Sequence, residues 1–254
     1  MDNDDKPIGT ILNRRDVLKI FGIGSAATLV ASCAPEIVET LSPTSVPPTL
    51  PATQAIATLA NSNAIPACVV RPEMTEGPYF VDEMLNRSDI RSDPMDGAIS
   101  QGAPLELTFN VSQINANGCT ALPNAQVDIW HCDAFGVYSD VENALGKKFL
   151  RGFQLTDANG VAKFVTIYPG WYPGRTVHIH FKIRVNNYDF TSQLFFDDAF
   201  TDQVYLQDPY TQRGERNTRN LNDNIYNNGG SQLLLNTVQT DTGYAATIDI
   251  GLQI

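Results

Sequence analysis

Thr176-Val177-His178-Ile179-His180-Phe181-Lys182-Ile183-Arg184-Val185 alternates β-branched or aromatic side chains with polar ones, residue by residue. A period of two is the mark of a β-strand, whose successive side chains point to opposite faces. Ile179, Phe181 and Ile183 then share one face while His178 and His180 share the other, so both imidazoles reach into one small volume. The chain has only three histidines, and two of them sit here. Two imidazoles at this spacing are a common device for holding a metal ion, although a solvent-facing pair on an edge strand gives the same pattern.

Similar short runs recur along the chain, over 105–111, 125–131, 149–156, 161–168, 190–196 and 245–250. Between them Asn117-Gly118, Asp157-Ala158-Asn159-Gly160 and Asn186-Asn187 supply the positive φ that tight turns need. Together with 176–185 they predict an all-β fold, a β-sandwich of mostly antiparallel strands with long active-site loops. The stretch 197–231, rich in Asn, Asp, Arg and Gln and carrying Gly229-Gly230, breaks this rhythm. It reads as a long loop excursion, a feature that in compact domains is functional or mobile.

The first part of the chain reads differently. Asn13-Arg14-Arg15-Asp16-Val17-Leu18-Lys19 places twin arginines ahead of the apolar stretch 20–31, which is shorter than the roughly 20 residues a membrane span needs. It ends in Val30-Ala31-Ser32-Cys33, which resembles a lipoprotein cleavage and lipidation site with Cys33 as acceptor. Residues 34–67 are dominated by Ala, Pro, Thr and Ser and cannot bury enough apolar surface to offset their ordering entropy. The expected organisation is a twin-arginine, lipoprotein-type signal over 1–33, a linker over 34–67 and a catalytic domain over 68–254. This makes the protein an exported, extracytoplasmic lipoprotein that meets the membrane only through its lipid anchor. Beyond Cys33 three cysteines remain, Cys68, Cys119 and Cys132, enough for one disulfide and one free thiol. A strand over 125–132 would span roughly 25 Å, which disfavours joining Cys119 to Cys132.

Composition narrows the function. With 43% hydrophobic and 18% charged residues the chain can bury a core. A net charge of -11, with its 17 basic residues scattered rather than clustered, argues against a nucleic-acid partner. No glycine-rich phosphate loop, CxxC pair or GxSxG elbow occurs, so nucleotide and serine-hydrolase chemistry have no support.

Two segments carry a resemblance: Trp130-His131-Cys132-Asp133-Ala134-Phe135-Gly136-Val137-Tyr138-Ser139 and Trp171-Tyr172-Pro173-Gly174-Arg175-Thr176-Val177-His178-Ile179-His180-Phe181-Lys182. They resemble the metal-binding motifs of the intradiol ring-cleavage dioxygenase family, and Thr75-Glu76-Gly77-Pro78-Tyr79-Phe80 resembles the stretch that helps wall its active site. The resemblance implies one mononuclear non-haem Fe(III) per chain, held by Tyr138 and His178 as equatorial and Tyr172 and His180 as axial ligands. It also implies that Tyr172 serves as ligand and base, that Arg175 stabilises charge beside the substrate, and that Thr75, Gly77, Pro78, Tyr79 and Gln193 bind substrate. The implied reaction is cleavage of a catechol-type compound by O2 to a muconate-type product. Phenolates are hard anionic donors, so two of them with two imidazoles suit iron(III) better than zinc or iron(II).

The family's well-known members carry a longer insertion between the second tyrosine and the arginine, where only Pro173 and Gly174 stand here. That departure, with the acidic composition, leads us to expect a wider pocket and a preference for neutral or cationic catechols, with Arg175 as the only local positive group. Two other readings stay open: a zinc or copper enzyme using His131, His178 and His180, and a non-catalytic, surface-tethered binding sandwich. The lipoprotein reading predicts that Cys33→Ala yields an unlipidated chain that is released or unprocessed. Mass spectrometry and membrane fractionation check this, and an unchanged mass and fractionation would count against it.

Overall fold

The protein is described over residues 69–254 by a computed structural model. The expected signal, Cys33, the linker and Cys68 lie outside the described residues. Among the described residues nine strands build two sheets: β1 Pro104–Asn115, β2 Gly118–Ala121, β3 Gln126–Trp130, β4 Arg151–Leu155, β5 Val161–Ile167, β6 His178–Val185, β7 Tyr188–Phe195, β8 Val238–Thr240 and β9 Gly243–Leu252. One sheet runs β4-β3-β6-β7 and is antiparallel throughout. The other runs β2-β1-β9-β8, with β5 also beside β1, and its β1–β9 pair is parallel while the rest are antiparallel.

All seven predicted strands are present, and the fold is the expected mostly antiparallel sandwich. The unpredicted strands, β2 and β8, span only four and three residues, too short to display a period. Alternation along β1 buries Leu105, Leu107, Phe109 and Val111, and alternation along β6 buries Ile179, Phe181 and Ile183. The two sets meet between the sheets, where the Phe109 and Phe181 rings lie 5.4 Å apart. Each such side chain contributes roughly 1.5–3 kcal/mol relative to exposure.

The stretch 197–231 is not the structureless excursion expected from its polarity. It holds helix α1 Asp198–Val204, helix α2 Asn224–Asn227 and three-residue or four-residue 3₁₀ turns at Tyr210–Arg213 and Asn220–Asn222. Asp197 and Asp223 cap the two helices by accepting backbone N–H groups, and so many Asx caps read in sequence as mere loop polarity. Cys119 is disulfide-bonded and Cys132 is a buried free thiol, so these two are not joined. No helix among the described residues is long and apolar enough to cross a membrane.

His131 belongs to the fold. Its Nδ1–H donates to the Cys132 carbonyl at 2.8 Å, and its Nε2 accepts from the Thr166 hydroxyl on β5 at 2.6 Å. Both nitrogens of the neutral ring are thereby satisfied, and burial holds its pKa down to about 4 from 6.5. A base depressed in this way binds fewer protons folded than unfolded between those values. Its contribution is therefore complete above pH 6.5 and is lost as pH falls toward 4, a loss on the order of 3 kcal/mol. Urea unfolding of metal-free His131→Asn should show lower stability at neutral pH but a shallower fall across this window than the parent protein.

Candidate metal centre

The face of β6 turned away from the core carries His178 and His180, and both are only 2% exposed. Register places Trp130 on β3 and Gln193 on β7 directly beside His180. The Trp130 indole stacks on the His180 ring at 5.0 Å between centroids and 10° between planes. Gly77, at φ 72, lies close to the same ring, so that a Cβ there would stand 3.2 Å from an imidazole carbon. Packing thus sets the orientation of His180.

Two loops bring the phenols. The turn after β3 folds Asp133 onto Gly170, whose N–H donates to the Asp133 carbonyl at 3.1 Å. Gly136, at φ 81, passes so close to the Trp171 carbonyl that a Cβ would lie 2.3 Å from its oxygen, so only glycine permits this approach. The consequence is that Tyr138 and Tyr172, far apart in sequence, come within 5.7 Å of each other as rings. Tyr138 is buried in a small aromatic cluster with Trp130 and Cys132, while Tyr172 is only partly buried at its edge. Arg151, a buried guanidinium, fastens the first of these loops to the Thr75–Tyr79 stretch by donating to the carbonyls of Ser139 and Tyr79.

Four donors converge on one point. His178 Nε2 lies 3.0 Å from His180 Nε2, 3.2 Å from the Tyr172 hydroxyl and 3.4 Å from the Tyr138 hydroxyl. Ligands about 2.1 Å from a shared cation, roughly at right angles, stand about 3 Å apart. His178 Nδ1–H donates to the Thr176 carbonyl at 2.7 Å, which leaves the Nε2 lone pair facing the other three donors. Burial drives the pKa of both imidazoles well below 6.5, so they are neutral and able to ligate. Burial also raises both phenols above the usual tyrosine range, so neither ionises without a strong cationic partner. His180 Nδ1 is a buried nitrogen with no hydrogen bond. This donor set fits a hard, highly charged cation such as iron(III).

Arg175 is fixed beside it. Its Nε donates to Asp223 at 2.9 Å, one terminal nitrogen donates to Gln193 at 2.6 Å, and the other lies 3.5 Å from His178 Nε2. Asp223 also receives the Thr176 N–H, which ties the start of β6 to the cap of α2. A pocket of about 350 Å³ opens beside the phenols, walled by Tyr79, Tyr138, Glu142, Tyr172 and Arg213 among others.

Of the five expected substrate-binding residues only Tyr79 lines this pocket. Gln193 is fully buried and spends its amide on Arg175 and on the Thr75 carbonyl, so it positions Arg175 rather than facing the pocket. Gly77 braces His180, and Pro78 is exposed. Asp223, Arg151, Glu142 and Arg213 were missed, because sequence spacing carries no sign of them. His131, turned toward Thr166, does not join the other histidines. Among the described residues no three His, Cys, Asp or Glu side chains gather as a metal site, which removes the geometric basis of the three-histidine reading.

A family model described as "Dioxygenase" matches residues 75–220. The chain belongs to the intradiol ring-cleavage dioxygenases. It is 32% identical to an intradiol ring-cleavage dioxygenase from Tetranychus urticae, covering 74% of this chain and 95% of that one with a TM-score of 0.65. The dioxygenase domain of a dioxygenase carbohydrate-binding protein fusion from Streptomyces sp. SirexAA-E is 28% identical, over 73% of this chain and 99% of that one, with a TM-score of 0.53. A curated relative, chlorocatechol 1,2-dioxygenase of Pseudomonas putida, is 26% identical over 95 residues, 30% of this chain and only 36% of that protein.

The ion pair predicts a paired loss in this dioxygenase. Asp223→Asn keeps the shape but leaves Arg175 buried without its counter-charge, so unfolding free energy should fall by about 3 kcal/mol and turnover of a catechol by tenfold or more. Urea unfolding and oxygen uptake measured on one preparation check both.

Proposed function

We propose that this protein is an iron(III)-dependent dioxygenase that opens catechol-type rings between the two hydroxyl-bearing carbons, placing both atoms of O2 in a muconate-type product. The observation that carries this reading is the convergence of Tyr138, Tyr172, His178 and His180 on one point beside an open pocket. Iron(III) held by that set supplies Lewis-acid and one-electron chemistry that makes a chelated catechol reactive toward O2.

The chain's own residues divide the remaining work. Tyr172 lies at the partly exposed edge of the cluster, so its oxygen is placed to accept a proton from an arriving catechol hydroxyl. Tyr138 is 4% exposed, locked among Trp130 and Cys132, and stays in place as the permanent phenolate. Arg175, aligned by Asp223 and Gln193, directs a guanidinium nitrogen toward the site and stabilises negative charge that develops there. The twin arginines, the Val30–Cys33 motif and the oxidised state of Cys119 support an extracytoplasmic, lipid-anchored location.

Metal analysis, visible absorption and oxygen uptake test the proposal together. Tyr172→Phe should retain iron and some charge-transfer colour while turnover falls about 10²-fold or more. Tyr138→Phe should lose iron in step with activity, because a ligand that supports the ferric state throughout is gone. Full activity with bound iron in both variants, or a colourless protein with stoichiometric zinc, would rule the proposal out.

A further inference from the structure

Arg175, the one positive group expected near the substrate, is neutralised by Asp223. A second arginine, Arg213, stands in the pocket wall. Its Nε donates to the Trp171 carbonyl at 3.0 Å, and its guanidinium lies over the Trp171 indole, 4.8 Å from the ring centroid. Trp171 directly precedes Tyr172, so this arginine is braced from behind by the segment that carries a metal ligand. One terminal nitrogen stands 3.0 Å from where a Cβ on Gly136 would be, so the absence of a side chain at Gly136 makes the room it occupies.

Its terminal nitrogens have no hydrogen bond or ion pair among the described residues, whereas Arg151 and Arg216 spend theirs on protein partners. Neither neighbouring carboxylate forms an ion pair or hydrogen bond with these nitrogens, although Asp133 feels the Arg213 charge through space. Asp133 accepts the N–H groups of Phe135 and Val137, and Glu142 accepts the Tyr79 hydroxyl at 2.9 Å. A guanidinium held at Nε with its terminal donors open is shaped for a planar oxyanion. The pocket volume of about 350 Å³ falls in the range that holds ligands larger than a single ring.

We propose that Arg213 is a specificity residue that binds a carboxylate on the ring substituent of the substrate, so that this site selects anionic catechols. This rests on the reading of the site as catechol-cleaving, and it replaces the preference for neutral or cationic catechols expected from net charge. Net charge is a property of the whole surface, while selection is set by the groups in the pocket wall, where Arg213 is the cation that no carboxylate pairs.

The test compares matched pairs on the iron-loaded protein: 3-(3,4-dihydroxyphenyl)propionate against 4-ethylcatechol, and protocatechuate against 4-methylcatechol, with dopamine as the cationic arm. Binding by calorimetry under anaerobic conditions and kcat/KM by oxygen uptake are both read. The carboxylate member of at least one pair should be favoured about tenfold or more, chiefly through Kd and KM. Arg213→Gln should bring that ratio close to one, and Arg213→Lys, which keeps the charge but not the fork, should restore part of it. Neutral catechols bound as tightly as their carboxylate partners in both pairs, dopamine bound as tightly as either carboxylate, or an unchanged ratio in Arg213→Gln, overturns the inference. Turnover without Arg213-dependent selection sinks the inference alone, whereas selective binding with no ring cleavage sinks the proposed function and leaves Arg213 standing.

Discussion

A strand buried on both faces can present polar side chains only where other parts of the chain close over them, and β6 is such a strand. Ile179, Phe181 and Ile183 fill the space between the sheets, which anchors β6 and leaves His178 and His180 no route into the core. The second face is closed by chain segments that arrive from three directions: the turn after β3, the Trp171–Arg175 segment and the Thr75–Tyr79 stretch. Burying two imidazoles without partners is costly, so each is held by something specific. For His178 this is the Thr176 carbonyl, and for His180 it is the stack with Trp130.

The same closure explains the unusual donor set. Phenols are amphipathic enough to line the lid of such a site, and their rings supply the apolar packing that excludes water from the histidines. Their oxygens then fall on the inner side, next to His178 Nε2. The two tyrosines differ in burial, and the proposed division into a fixed ligand and a movable base rests on that difference.

The helical stretch 197–231 is the part of the molecule that most changes the reading of the site. It delivers Asp223 to Arg175, Asn220 to the Thr176 hydroxyl, and Arg213 to the pocket wall. The four converging donors come from the sandwich and its immediate turns, while the partner of Arg175 and the arginine of the pocket wall come from this excursion. Such a division lets one scaffold retain its chemistry while loops alter what it accepts.

The seven main strands and the pairing of His178 with His180 were legible in the sequence because period-two alternation is a local property, enforced by the backbone of each strand. The four converging donors were legible because two short motifs hold them within a few residues of the turns that aim them. The short strands β2 and β8 were not, since three or four residues carry no period. Asp223, Arg151, Glu142 and Arg213 were not either, and Gln193 was misplaced in the pocket, because their roles depend on which distant segments pack together. Sequence by itself determined the sandwich and which four donor side chains to look for together. Only the tertiary structure decided which charges are paired and which are not, because pairing is a matter of distances between segments that the chain's local order does not encode.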